Sequence, residues 1–175
     1  MRCAISIFGS DRPGIIASLT SRLASMGINI EDASMTLLQG HFAMILVVEL
    51  QNVSLESVKA DLNDIEVLKE LAITYSTFED SHTGSDEPET SRYVFHLSAS
   101  DKPGIVAKVT EVLAKNNSNV VDCATRKNNE TDVFTIILDV DIPSNNEDLT
   151  VAELTQATSE YGGDVMFQRV DEVDF

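Results

Sequence analysis

Apolar positions along the first half of the chain change rhythm at regular intervals. "RCAISIF" (2–8) is short and partly alternating, as a strand is. After Pro13 the residues Ile15, Ile16, Leu19, Leu23 and Met26 keep helical spacing, and Gly27 closes that helix. "NIEDASMTLL" and "HFAMILVVEL" read as two strands joined in a hairpin at Gln39-Gly40. Leu55, Val58, Leu62, Ile65 and Leu68 mark a second helix, and "LAITYSTF" (71–78) a last strand. The order is βαββαβ.

The second half repeats the first. A shift of ninety lays "SDRPGIIASLTSRLASMGINIED" (10–32) over "SDKPGIVAKVTEVLAKNNSNVVD" (100–122), with eleven identities in twenty-three positions. Two extra residues then move the register, and "FAMILVVEL" (42–50) matches "FTIILDVDI" (134–142). "YVFHLSA" (93–99) is the matching first strand, Ile105, Val109, Val112 and Leu113 the matching helical stripe. A weaker helix follows near 147–161 and a strand near 164–170. Such a duplication sets the architecture before any other reading.

Residues 81–91 are polar and acidic, and Gly84 and Pro88 discourage regular structure there. The expected organisation is one domain over 1–80, an acidic linker over 81–91 and a second domain over 92–175. The fold class is α+β: two ferredoxin-like units in tandem, each an antiparallel four-stranded sheet with two helices on one face. The strand "FAMILVVEL" is apolar at both parities, which predicts that the bare sheet face, or the edge beside it, packs against the sister domain or another subunit.

The chain of 175 residues carries a formal charge of -17, with both halves acidic. Phosphate backbones and anionic lipid heads repel such a surface, which argues against direct nucleic-acid or membrane binding. No apolar run approaches the roughly 20 residues of a membrane span, and the amino terminus lacks a signal-peptide pattern, so a cytoplasmic location is expected. Cys3 and Cys123 have no paired spacing and read as buried, inert thiols.

The repeated loop carries the chemistry. Pro13 and Pro103 suit the first helical position, and Asp11 and Asp101 can accept hydrogen bonds from helix-start N–H groups. Gly14 and Gly104 then fall inside the first turn, where glycine is costly. Their presence admits two readings: close approach of a carboxylate ligand to free N–H groups, or packing against another domain. Asn29 and Asn119 open the next strand. Their amide could hold an amino group and a carboxylate together, or simply turn the chain after the helix.

"DRPGI" and "DKPGI" at a strand-to-helix turn, with Asn at the next strand and a βαββαβ order, resemble the ACT domain, a small-molecule-sensing regulatory module. The longer string "DRPGI…GINIEDASMTLLQGHFAMILVVE" is similar to the glycine cleavage system transcriptional repressor family, whose members consist of two ACT domains and little else. The resemblance covers essentially the whole chain, strongly over 5–50 and less so over 140–175. It implies a repressor without its own DNA-binding domain, one that contacts a DNA-binding activator and loses that contact when glycine binds. It further implies a site at the interface between two domain copies, with glycine or serine as the expected ligand. One ligand-contacting set would be Asp11, Arg12, Pro13, Gly14, Ile15, Asn29 and Ile30. The other would be Asp101, Lys102, Pro103, Gly104, Ile105, Asn119 and Val120. The second copy lacks the glycine before its second strand, yet its loop motif is intact, so binding there is expected too. Dimers of such paired units are common in the family, which makes a homodimer a further expectation.

Catalytic readings find less support. "FTIILDVDIP" ends a strand in D-x-D, the nucleophile arrangement of haloacid-dehalogenase-type phosphatases. Asp139 and Asp141, however, align with Val47 and Glu49 inside a small-domain strand, and there is no room for the large parallel sheet such an enzyme needs. His41, His82 and His96 have no metal-binding spacing, and no G-x-S-x-G elbow exists. The expectation is a protein without enzymatic activity, metal or cofactor. Two other readings stay open: a regulatory module for a separate metabolic enzyme, and a structural interaction module that binds no ligand.

Overall fold

In the computed structural model, which describes residues 1–79 and 89–170, the chain divides into two units, Met1–Thr83 and Gly84–Phe175. The first contains β1 (Arg2–Ser10), α1 (Ile15–Ser25), β2 (Ile30–Leu38), β3 (His41–Glu49), α2 (Leu55–Asn63), a 3-10 turn (Glu66–Leu68) and β4 (Ala72–Phe78). The second contains β5 (Thr90–Ser100), α3 (Ile105–Lys115), β6 (Asn119–Asn128), β7 (Val133–Pro143), α4 (Glu147–Thr158), a 3-10 turn (Ser159–Tyr161) and β8 (Asp164–Arg169). Each unit is one antiparallel four-stranded sheet, ordered β2-β3-β1-β4 and β6-β7-β5-β8.

Strand parity places each core on the helix-bearing face. In β3, Phe42, Met44, Leu46 and Val48 are buried against Cys3, Ile5 and Ile7 of β1 and against Ile15, Leu19 and Leu23 of α1. Ile45, which points to the opposite face, is 55% exposed. The second unit repeats this with Ile136, Leu138 and Val140 packed with Phe95, Leu97, Ile105 and Val109, while Ile137 is exposed.

The two-residue shift in the repeat lies in the hairpins. Gln39 (φ 53°) and Gly40 (φ 79°) both adopt positive φ, the requirement of a two-residue turn that matches strand twist. The second hairpin has four loop residues, 129–132. The Asn128 Oδ1 accepts from the N–H groups of Glu130 and Thr131 at 2.9 and 3.3 Å, and Asp132 takes the positive φ.

Three expectations change. The helix expected through Leu68 stops at Asn63, because Ile65 is extended (φ -78°, ψ 116°) and the chain re-enters as a 3-10 turn. Of the linker expected at 81–91, residues 81–88 lie outside the described ones, and Thr90 and Ser91 already belong to β5. Ser91 is buried and pairs with Ile142. Cys3 is buried, but Cys123 is exposed, because it stands on the edge strand β6.

Candidate functional site

Both D-x-P-G segments leave the sheet in the same way. The Asp11 N–H donates to the Gly40 carbonyl at 3.0 Å, and the Asp101 N–H to the Asp132 carbonyl at 3.3 Å, so each loop is tethered to the hairpin beside it. Gly14 (φ 94°, ψ -7°) and Gly104 (φ 95°, ψ -7°) then cap α1 and α3, which begin one residue later. Their carbonyls accept the first helical bonds, from Ser18 and Lys108, each at 2.9 Å.

These glycines therefore precede the first turn instead of sitting inside it, and Pro13 and Pro103 stand one position before the cap. The left-handed backbone accounts for glycine directly, since a Cβ is disfavoured at that φ. Among the described residues, no atom beyond the adjoining residues lies within 4 Å of where a Cβ would be built on either glycine, and both glycines are exposed.

The aspartates do not cap. Neither α1 nor α3 has a side-chain cap or an acid in its first turn. The other two helices differ: Ser54 Oγ accepts from the Ser57 N–H at 3.1 Å to cap α2, and α4 carries Glu147 and Asp148 in its first turn. Helix starts of the first kind expose N–H groups at the positive end of the dipole.

Arg12 and Lys102 turn back toward the fold. Arg12 donates to the Val67 carbonyl from Nε (3.2 Å) and Nη2 (2.7 Å) and pairs with Glu70 at 2.9 Å. Lys102 Nζ reaches the Glu160 carbonyl at 3.4 Å and lies 5.9 Å from the Tyr161 ring centroid. In each unit the basic residue fastens the loop to the 3-10 turn. Ile15 and Ile105 are core residues, 2% exposed each, which leaves only their backbone for outside contacts.

Each candidate set is split by the topology. Ile30 pairs with Val48, which also faces Cys3, whereas the loop follows Ser10, which faces His41 at the opposite end of β1. The run of antiparallel strand from Cys3 to Ser10 separates these ends by roughly 24 Å. Asn29 and Ile30 therefore cannot share a small ligand with Asp11–Ile15 of the same unit. The ladder puts Asn119 and Val120, opposite Asp141 and Val140, equally far from Asp101–Ile105. Both second strands also carry a bulge, at Glu31 and Val121.

What does lie beside the loops is the hairpin, which the sequence reading left out of the candidate set. In the second unit Lys127 Nζ binds Asp101 Oδ2 at 2.6 Å and Asp132 Oδ1 at 3.2 Å. The hydrogen bonds to Asp101, and secondarily to Asp132, push the Lys127 ammonium up, so it is charged at neutral pH. The signal for this was a lysine in the second copy where the first has Leu37, and an aspartate where the first has Gly40.

Of the remaining chemistry-bearing residues, Asp141 and His96 lie away from the loops, whereas His41 follows Gly40 in the first hairpin and pairs with Ser10, where the first loop begins. Asp141 of the D-x-D pair is held by Arg92 at 2.6 and 3.1 Å. His41 stacks on Phe8 with ring centroids 6.0 Å apart, and His96 Nε2 lies 3.5 Å from Ser98 Oγ. His82 lies outside the described residues.

Comparison with known proteins matches two family models, each described as an ACT domain, to residues 3–75 and 92–165. A UPF0237 protein of Lactococcus lactis is 40% identical over 63 residues, spanning 36% of this chain and 72% of that protein. A UPF0237 protein of Clostridium acetobutylicum is 42% identical over 66 residues, 37% of this chain and 74% of its own length. Among solved structures, an unknown protein from Galdieria sulphuraria shares 27% identity with a TM-score of 0.83, covering 97% of this chain and 98% of that one. A proposed glycine cleavage system transcriptional repressor shares 17% identity with a TM-score of 0.72, covering 98% of each chain. At that identity the likeness is one of fold.

Proposed function

The chain belongs to the ACT domain family, with one domain in each half, and on that premise we propose that it is a non-catalytic regulator that senses a small amino acid, glycine first and serine next. The observation that carries this reading is the contrast among the four helix starts. The two behind the D-x-P-G loops lack a side-chain cap and lie open, while α2 and α4 are supplied with a cap or with acids. Open first-turn N–H groups suit a ligand carboxylate, and Asp11, exposed beside them, suits its ammonium. Gly14 and Pro13 shape the loop, Arg12 anchors it and Ile15 roots it in the core. Asn29, Ile30, Asn119 and Val120 enter such a site only when they come from a different copy of the domain.

The output we propose is modulation of transcription through contact with a DNA-binding regulator. A charge of -17 supports a protein partner over DNA. The sequence resemblance over 5–50 supports glycine as the signal. A regulatory role toward a separate enzyme is the competing output, and identifying the captured partner separates the two.

Titration calorimetry of the full chain against glycine, serine and the other common amino acids tests the sensor. The expected result is heat with glycine, lost in Asp11→Asn. Asp11 has no side-chain partner among the described residues, so this exchange removes a charge without breaking a fold contact. A folded protein silent to the whole panel would overturn the sensor and leave an interaction module.

A further inference from the structure

The two loops share a backbone but not an electrostatic environment. On the sheet, Leu37 pairs with Phe42 and Lys127 pairs with Phe134, so these two residues occupy equivalent positions. Likewise Gly40 and Asp132 each end their hairpin and accept the N–H of the loop aspartate. The first unit thus has a leucine and a glycine where the second has a lysine and an aspartate. In consequence the Asp101 carboxylate holds an ammonium at 2.6 Å, and a second carboxylate holds the same ammonium at 3.2 Å. The Asp11 carboxylate has no side-chain partner among the described residues, and the Leu37 side chain, 55% exposed, carries no charge to offer it.

The head of a lysine and the amino group of a free amino acid are the same chemical group, an ammonium on a saturated carbon with three donors. Resting on the sensor reading above, we infer that Lys127 is a built-in counter-ion that fills the ammonium position of the second loop, so that the amino acid is taken by the first loop alone, on Asp11. The tether makes this internal ammonium a competitor at high local concentration. A ligand entering the second loop must displace it and leave Lys127 without its two carboxylates. The tandem repeat then has one responsive unit and one that is held in a ligand-like state by its own side chain. Lys127 is the residue that sets this difference.

Amide chemical shifts of the full chain, titrated with glycine and then serine, read the two loops separately. In the native protein the N–H groups of Ile15, Ile16 and Ala17 shift and those of Ile105, Val106 and Ala107 do not, with one equivalent bound per chain. Lys127→Leu opens the second loop, so Ile105–Ala107 shift as well and calorimetry finds a second equivalent. Lys127→Met serves as a second variant should the first fold poorly. Leu37→Lys supplies the first loop with its own ammonium and weakens glycine there by up to about fivefold, the upper range of an exposed ion pair. Equal shifts at both loops of the native chain would overturn the inference while leaving the sensor standing. So would a single equivalent in folded Lys127→Leu. Silence at both loops in the native protein and in the variants would remove the sensor reading itself, and this inference with it.

Discussion

At Gly14 and Gly104 the backbone turns through φ 94° and 95° with open space beyond each residue. An alanine there meets no atom, so its cost is conformational, about 1–2 kcal/mol for a side chain in the left-handed region. Urea unfolding of Gly14→Ala and Gly104→Ala is expected to show that loss in each, and a loss near zero would mean the loop relaxes to another geometry. The motif marks these glycines as special, but not why. A ligand pressing on the backbone and a left-handed cap both exclude a Cβ, and only the dihedral separates them. The same holds for the acids. Asp before a helix reads as a cap, yet Asp101 is drawn to Lys127, a residue twenty-six positions away that the hairpin brings alongside.

Among the elements, β3 shows how far a pattern reaches. Its residues are apolar at both parities, so sequence names the strand without saying which side faces the helices. The ladder decides: Leu46 is fully buried and Ile45 is 55% exposed. Leu46→Ala is expected to cost about 2–5 kcal/mol, as large-to-small core changes do. Ile45→Ala is expected to stay within about 0.5 kcal/mol, as surface changes do. Denaturant midpoints of the two variants check this, and a large loss at Ile45 would show that the bare face is covered in solution. The second helix was legible as far as Leu62. Beyond it, Ile65 and Leu68 keep helical spacing and join the same core, but through an extended residue and a 3-10 turn. Apolar periodicity reports which residues are buried and is blind to such a break.

For the whole molecule, the two cores share no residue: one runs from Cys3 to Leu71 and the other from Phe95 to Leu154. Fragments 1–79 and 89–170 are therefore each expected to fold alone and unfold cooperatively in urea, with circular dichroism typical of mixed helix and sheet. A fragment that stays unfolded would mean that one unit depends on the other for its stability. The acidity is likewise spread over both halves. It disfavours anionic partners through long-range repulsion, an effect of the summed charge and not of any one site.

The sequence by itself determined the duplication, the βαββαβ order of each half, the hairpin at Gln39-Gly40 and the loop motif, because these depend on neighbours a few residues apart. Periodicity, turn chemistry and a fixed repeat distance are local properties, and local properties survive in a linear string. Tertiary structure decided which sheet face is covered, that the motif's arginine and lysine anchor the loop, and that Asn29 stands at the far end of the sheet from Gly14. It also decided that Lys127 meets Asp101. Each of these depends on strands paired across long stretches of chain, where one step of register reverses a side chain and a lysine in place of a leucine brings a new charge to a loop.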